Sequence, residues 1–350
     1  MVTRKNAVSS RRAPASSVEV ARLAGVSQAA VSRVFTPGAS VSDEMRERVI
    51  AAAKQLGYRP NAIARSLTQR STRMIGLVMV RFMNPFYTRL LQVFTAKLQA
   101  LGYWTLLLNV AHGDELEKTL PTALQYQVDG IIITSAMLSS RMADECAQCG
   151  TPVVLFNRYS LDSDVNAVCC DSVRGGRMVA DALVDAGHQR FAYISGEEGS
   201  STNQDRERGF TSRLRERGHE LALSEQGDYS YESGYAAARR LLMREDRPDA
   251  IFCANDLMAM AALDVARCDL GLRVPEDLSI IGFDDILQAS WPKYDLTTVR
   301  QPVERMVDAT IELLLSAIEN PDGERILRMI PPTLAVRGSA RRPQPDNPAT

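Results

Sequence analysis

Two short segments near the start of the chain place apolar residues three or four positions apart, the spacing of one helical face. The first segment carries Val20, Ala21, Leu23 and Ala24, and the second carries Val31 and Val34. Gly25 suits the left-handed conformation that ends a helix, and Ser27 is a good N-cap for the helix that follows. The pattern therefore predicts two helices joined by a tight turn.

The outward face of the second predicted helix is polar and lacks carboxylates. It consists of Gln28, Ala29, Ser32 and Arg33. An ordinary αα-hairpin inside a larger core explains the valines but not this face. A helix-turn-helix that presents its second helix to a DNA groove explains both, because an acidic side chain there would repel phosphate. The segment therefore predicts DNA binding.

A third helix is predicted from about Asp43 to Leu56, capped by Ser42 and ended by Gly57. Its apolar positions, which would complete a three-helix core, are Met45, Val49, Ala52, Ala53 and Leu56. The next segment, 60–67, has room for only about two helical turns, and so short a helix is unstable alone in water. A linker is therefore expected there in the free protein.

From Met74 onward, compact apolar runs alternate with helical stretches, as expected for buried parallel strands joined by helices. The first series predicts strands at 75–80, 104–109, 130–134 and 152–156, with a helix from about Phe86 to Leu101. The second series predicts strands at 190–195, 250–254 and 278–283. Two successive series predict two doubly wound lobes with a cleft between them.

Charge is distributed unevenly along the 350 residues. Residues 1–70 hold 12 Lys and Arg against 4 Asp and Glu, whereas the remainder holds 29 against 38. A basic head on an acidic body suits a module that binds a polyanion while the rest of the chain stays soluble. The overall net charge of −1 hides this asymmetry.

The first residues are basic but no apolar segment follows them, so we expect neither a secretory leader nor a membrane span. Six cysteines fit a reducing, cytoplasmic environment. Cys146 and Cys149 have redox or half-zinc spacing, but no second pair or nearby histidine completes a site. No metal and no cofactor is therefore expected.

Motifs along most of the chain resemble the lactose/galactose repressor (LacI/GalR) family of bacterial transcription regulators. The resemblance covers about 17–338 and rests on Ala24-Gly25-Val26-Ser27, Val31-Ser32-Arg33-Val34, Gly187-His188, Arg206-Glu207-Arg208-Gly209-Phe210, Ala254-Asn255-Asp256, Gly282-Phe283-Asp284-Asp285 and Leu296 to Pro302. It implies an all-α helix-turn-helix head and an α/β effector domain of two doubly wound lobes, similar to type I periplasmic binding proteins.

The implied domains follow the same order. They are a disordered basic N-terminus (1–15), the DNA-binding domain (16–59), a hinge helix and linker (60–72), the effector-binding and dimerisation domain (73–338) and a disordered tail (339–350). Within the effector domain, the first lobe is expected at 73–168 and 301–331, and the second at 169–300 and 332–338. The chain is expected to cross between lobes near 169, 300 and 332.

Candidate DNA contacts lie in the head and the linker. Arg33 can bind guanine through two hydrogen bonds, Gln28 suits adenine, and Ala29 offers only a methyl contact. Ser27, Ser32, Thr36 and Asn61 are expected to bind phosphates. The resemblance further implies that 60–67 forms a helix on operator DNA and inserts Leu67 at the central base step of the minor groove.

Candidate effector contacts lie where strands end at the cleft. The polar residues at those ends are Thr134, Asn157, Arg158, Asn255 and Asp284. The resemblance assigns effector binding to Arg206, Asn255 and Asp284, and an aromatic contact to Tyr229. Phe86 is expected to line the first-lobe side. Such a set suits a sugar, and Arg158 beside Arg206 would suit a sugar acid, unless Arg158 is a solvated surface residue. Singly, Asn255 could merely cap a helix, Asp284 a turn, and Arg206 could pair with a neighbouring carboxylate.

The combined prediction is a homodimeric, effector-controlled regulator that binds double-stranded operator DNA, most simply as a repressor, in the bacterial cytoplasm and on the nucleoid. The sequence leaves induction and corepression equally open. No nucleotide-binding loop, nucleophile elbow or histidine-based triad supports an enzyme. The alternative is a periplasmic-type solute-binding protein, which predicts a secretory leader and no DNA-binding head.

Overall fold

The computed structural model describes residues 15–36, 38–59, 71–80, 84–110, 116–134, 140–159 and 165–342. The chain divides into two compact units, Met1–Thr72 and Arg73–Thr350. Each unit is built around its own hydrophobic core.

The first unit contains the three predicted helices, α1 (Ser17–Ala24), α2 (Gln28–Val34) and α3 (Asp43–Leu56). Ser27 and Ser42 cap α2 and α3 through their side chains, and Gly25 and Gly57 end α1 and α3 in the left-handed conformation. Ser16 adds a capping box with Glu19 at the start of α1, which the sequence analysis did not include.

The core of this unit is made of short aliphatic residues. Its buried members are Val20, Ala21, Ala24, Val31, Val34, Val49, Ala52 and Ala53. The predictions for Leu23 and Leu56 were wrong, because these side chains are 46% and 37% exposed. With only three helices around this core, each helix buries a narrow stripe and leaves its flanks in solvent.

The second unit contains two six-stranded sheets, one in each lobe. The first-lobe sheet consists of β1 (Met74–Val80), β2 (Trp104–Val110), β3 (Gly130–Thr134), β4 (Val153–Phe156), β5 (Asn166–Cys170) and β11 (Leu327–Ile330), in the order β11-β5-β4-β3-β1-β2. The second-lobe sheet consists of β6 (Phe191–Ser195), β7 (Leu221–Gln226), β8 (Ala250–Cys253), β9 (Ser279–Asp284), β10 (Thr297–Arg300) and β12 (Thr333–Ala335), in the order β12-β10-β9-β8-β6-β7. Only β12 runs antiparallel, against β10.

Helices cover both sheets. The first lobe carries α4 (Pro85–Ala100), α5 (Leu116–Gln125), α6 (Ser140–Gln148) and α11 (Val303–Glu319). The second carries α7 (Ser172–Asp185), α8 (Ser201–Glu216), α9 (Tyr231–Leu242) and α10 (Asp256–Asp264), which continues as a π-turn at Val265–Asp269. This cover explains why β3, β4, β8 and β9 are buried along their whole length.

The strand predicted at 104–109 is β2, and the expectation that it is buried was wrong. It forms an edge of the first-lobe sheet, pairing only with β1, and Trp104 and Leu107 are 67% and 40% exposed. Strands β5, β7, β10, β11 and β12 were not predicted as strands.

The chain passes between the lobes after β5, after β10 and between β11 and β12. β5 belongs to the first-lobe sheet, so the lobe boundary falls after Cys170 rather than after residue 168. At the other end, Ser339 is fully buried and its hydroxyl donates to the Ile280 carbonyl. The ordered chain therefore extends past the predicted boundary at 338.

None of the described helices combines the length and the apolar character needed to span a bilayer. Within the same residues, no cluster of three or more His, Cys, Asp or Glu side chains is arranged to hold a metal ion.

Candidate functional site

A small cavity lies between the two lobes at the carboxyl ends of the strands. It is lined by Asn84, Phe86, Tyr87, Asn157, Thr202, Arg206, Tyr229, Asn255 and Asp284. Of the predicted effector residues, the structure thus brings together Phe86, Asn157, Arg206, Tyr229, Asn255 and Asp284.

Arg206 is the central cation of this cavity and is 2% exposed. Its guanidinium donates to the Ala254 carbonyl, lies 3.6 Å from the Asp284 carboxylate and stacks 3.7 Å above the Phe283 ring. A buried guanidinium is tolerable only with such partners. Its Nε has no partner among the described residues, so one donor remains for a bound molecule.

Asp284 is the anion of the cavity and ends β9. Burial raises the pKa of its carboxyl to about 6, against the opposing effects of Arg206 and of a hydrogen bond from Gln301 Nε2 at 2.7 Å. Its φ of 120° is a backbone conformation that side chains rarely adopt, which sets where the carboxylate points.

Asp256 lies beneath Asp284 and is fully buried. It accepts hydrogen bonds from the Thr298 hydroxyl and from the Ile286 amide. Burial and the neighbouring Asp284 carboxylate raise its pKa well above the usual value. Asp256 therefore ties the backbone that follows Asp284 to β10, a role that the sequence did not reveal.

Asn255 and Tyr229 are joined by a hydrogen bond. The Asn255 side chain caps α10 through the Met258 amide at 3.0 Å and donates from Nδ2 to the Tyr229 carbonyl at 2.9 Å. Asn255 is thus a helix cap and a cavity residue at once. The Tyr229 hydroxyl lies 3.1 Å from Ser200 Oγ, and its ring packs on Gly196, where any Cβ would overlap it.

The first lobe contributes Asn84, Phe86, Tyr87 and Asn157. Asn84 caps α4 by accepting from the Phe86 amide at 3.0 Å, which orients both aromatic rings at the start of the helix. Asn157 is 5% exposed, adopts the left-handed conformation (φ 63°), and its Oδ1 has no partner among the described residues. A buried, unpartnered amide oxygen facing the cavity is a natural acceptor for a ligand hydroxyl.

Two predicted residues do not line the cavity. Thr134 is fully buried and donates to the Val78 carbonyl at 3.1 Å, inside the first-lobe sheet. Arg158 pairs with Glu197 of the second lobe at 2.9 Å. Asn84, Tyr87 and Thr202 were missed, although Asn84 and Tyr87 lie within two residues of the predicted Phe86.

Arg206 is positioned by a close contact between α7 and α8. A Cβ on Gly176 would lie 2.2 Å from the Arg206 carbonyl oxygen, and one on Gly209 would lie 2.1 Å from the Val173 carbonyl oxygen. Only glycine permits these backbones to approach so closely.

We expect Gly209→Ala to lower the melting temperature by roughly 2–12 °C, because overpacking costs about 1–3 kcal/mol in a chain of this size. Gly76→Ala is the matched control, since its new Cβ would meet side chains no closer than 3.4 Å. Differential scanning calorimetry measures both, and equal losses in the two variants would disprove the close-packing argument.

A wider groove of about 710 Å³ lies beside Phe86, between the start of α4 and the segment 285–290. Its arginines are already engaged: Arg300 and Arg337 donate to Asp285, and Arg89 pairs with Glu304. These arginines already form ion pairs within the protein. The smaller cavity is therefore the better candidate for the ligand site.

In the head, Gln28, Ala29, Ser32 and Arg33 are all exposed on one face of α2, as predicted. The Gln28 amide donates to Ser17 Oγ at 3.0 Å, and the Thr36 hydroxyl donates to the Ser32 carbonyl at 2.9 Å. The predicted contacts at Asn61 and Leu67 lie outside the described residues.

Known families match both units. Residues 18–61 match the family described as bacterial regulatory proteins, lacI family, and residues 180–340 match a periplasmic binding protein-like domain. The HTH-type transcriptional repressor PurR of Mannheimia succiniciproducens is 32% identical over 93% of this chain and 98% of its own.

Solved structures are similar over the same length. The transcriptional regulator CelR in complex with cellobiose is 33% identical, with a TM-score of 0.71 over 93% of this chain and 100% of its own. The lac repressor dimer bound to operator and the anti-inducer ONPF is 26% identical, with a TM-score of 0.84 over 93% and 99%.

A helix-turn-helix head and a two-lobed binding domain in one chain define a DNA-binding transcriptional regulator controlled by a small molecule, and neither an enzyme nor a periplasmic solute-binding protein. The chain belongs to the lacI family of bacterial regulators. Members of this family bind operator DNA as dimers, respond to small-molecule effectors and act in the cytoplasm.

Proposed function

We propose that the effector of this repressor is a small, uncharged molecule rich in hydroxyl groups, a sugar rather than a sugar acid. The observation that carries the proposal is the charge balance around the cavity. Asp284 faces Arg206 and Glu197 pairs with Arg158, so each of the two positive charges is already balanced by a carboxylate of the protein. The bound cellobiose of the similar regulator CelR supports the same class.

The cavity residues supply what a sugar requires. Asp284 and Asn157 accept hydrogen bonds from hydroxyl groups, Asn255 and Arg206 fix the second-lobe side, and aromatic rings such as Tyr229 cover apolar sugar faces. We do not include Thr134, whose hydroxyl is used inside the sheet.

For the DNA, we propose that Arg33, Gln28 and Ala29 contact bases in the major groove, and that Ser27, Ser32 and Thr36 contact phosphates. All of these side chains lie on α2 or at its ends, and the phosphate contacts are short hydroxyls suited to backbone binding. Asn61 and Leu67 remain proposed contacts of the linker. Two heads of a homodimer would then read the two halves of a near-palindromic operator, placing the bound protein on the nucleoid.

Selection of genomic fragments by the full-length protein, followed by a thermal-shift screen, tests this function. We expect recovery of a near-palindromic site, a raised melting temperature with one neutral sugar, and a changed operator affinity with that sugar. A response confined to sugar acids would contradict the proposed effector class. Equal binding to scrambled DNA would contradict the proposed sequence-specific operator.

A further inference from the structure

The segment that follows β4 contacts the second lobe through residues that do not line the cavity. Arg158 pairs with Glu197 at 2.9 Å, the Tyr159 amide donates to Ser201 Oγ at 3.4 Å, and the Tyr159 hydroxyl donates to the Asp205 carboxylate at 3.1 Å. Arg158 and Tyr159 belong to the first lobe and their partners to the second. These contacts therefore join the lobes directly, along one flank of the cleft.

The contacts alternate with the cavity residues on both sides. On the first lobe, Asn157 faces the cavity, and the next two residues face the second lobe. On α8, Thr202 and Arg206 line the cavity, while Ser201 and Asp205 contact Tyr159. Because both sets share two backbone segments, the lobes cannot separate on this flank without widening the cavity.

The two segments that carry Arg158 and Glu197 are each held in place by their own lobe. The Asn157 amide donates to the Val168 carbonyl at 2.8 Å, which ties this segment to β5. On the other side, the Gly196 amide donates to Asn203 Oδ1 at 2.6 Å, and its carbonyl accepts from Gln226 at 2.6 Å. The segment that carries Glu197 is thus anchored within the second lobe, and the ion pair joins two segments that are each held by their own lobe.

The pair resists separation because the arginine is buried. The Arg158 side chain is 9% exposed whereas Glu197 is 42% exposed. Opening would leave a buried guanidinium without its carboxylate until water replaces it. The Asp205 carboxylate is likewise buried and is balanced by Arg208 at 2.6 Å, so the Tyr159 hydroxyl binds an acceptor that is already held.

We propose that Arg158, Tyr159, Glu197 and Asp205 form an interlobe latch that biases the two lobes toward closure and so sets the fraction of protein in the binding-competent state. The apparent affinity for any effector scales with that fraction. Arg158 and Tyr159 are positioning residues in this proposal, and they act without contacting the effector. The proposal concerns lobe closure and does not depend on the effector being a sugar.

Hydrogen exchange of the full-length protein without added small molecule tests the latch. The variants are Glu197→Gln, Tyr159→Phe and the two combined, and each should keep its fold because both changes are nearly isosteric. The matched control is Glu216→Gln, which weakens the Arg177–Glu216 pair within the second lobe. Melting temperatures and binding to genomic DNA confirm that each variant is folded.

We expect peptides containing Tyr159 to exchange at least threefold faster in Glu197→Gln and faster still in the double variant. Peptides containing Phe86 should also exchange faster. The Phe86 amide donates to the side chain of Asn84, both residues line the cavity, and the cavity widens when the lobes separate. The control should leave both peptides unchanged. Unchanged exchange in the latch variants, acceleration confined to Tyr159, or an equal effect of the control would each overturn the proposal.

Discussion

Asp284→Asn is expected to weaken effector binding about 100-fold while leaving operator binding intact. The substitution keeps the shape of the side chain but removes the one carboxylate that lines the cavity among the described residues, and Arg206 loses its facing charge. Hydrogen bonds to a charged group contribute about 1.5–3 kcal/mol each, so a loss of about 3 kcal/mol is expected from a diol contact. Isothermal titration with the sugar identified by the screen measures this change.

Asp277→Asn is the control for this variant. Asp277 is a carboxylate of the same lobe that pairs with Arg273 outside the cavity, so its replacement should change effector affinity less than twofold. A sugar affinity in Asp284→Asn within threefold of the wild-type value would place the effector elsewhere.

The same carboxylate makes effector binding depend on pH. Burial raises the pKa of Asp284 to about 6, so lowering the pH from 7.5 to 5.5 should protonate it and reduce affinity roughly fourfold. The Asp284→Asn variant should lack this dependence. The free energy of unfolding changes with pH in the opposite direction. Because the pKa of Asp284 is about 6 in the folded protein and about 4 in the unfolded chain, the protein loses stability as the pH rises from about 4 to about 6.

Arg33→Ala is expected to weaken the binding free energy by about 1–3 kcal/mol per operator half-site, which lowers operator affinity roughly 5- to 150-fold. It should also relax the preference at one base pair. Arg33 is exposed in the last turn of α2, on the face opposite the buried Val31 and Val34. Fluorescence anisotropy at fixed salt, with the selected operator and with single-base variants, measures affinity and preference together.

Arg48→Ala is the matched control, because it removes the same charge from an exposed position on α3. Its effect should be smaller and equal for operator and scrambled DNA, since a general electrostatic contribution carries no sequence information. An equal loss on scrambled DNA for Arg33→Ala would contradict direct base contact.

Much of the fold was predictable because its signals are local. Ser27, Ser42, Gly25 and Gly57 mark helix ends through their own hydrogen-bonding and backbone preferences, and all four act as predicted. Fully buried parallel strands such as β3 can be recognised in the sequence as unbroken apolar runs. The missed strand β7 alternates half-buried and exposed positions over only six residues, which a short edge strand shares with many loops.

Other features depend on partners that the sequence does not place. Trp104 and Leu107 sit in an apolar run, yet β2 is an edge strand, and strand order is a property of the assembled sheet. Thr134 ends a cleft-facing strand, but its hydroxyl turns to the Val78 carbonyl. The sequence allowed Arg158 either to bind an acidic sugar or to be a surface residue. In the fold it pairs instead with Glu197, which lies 39 residues away in the sequence.

The central claim is that one chain couples an operator-binding head to a small-molecule cavity. The most direct test measures operator affinity with and without saturating sugar, and sugar affinity with and without saturating operator. We expect both affinities to change by the same factor, in the same direction, as thermodynamic linkage requires. Two ligands that bind the full-length protein with no influence on each other would contradict it.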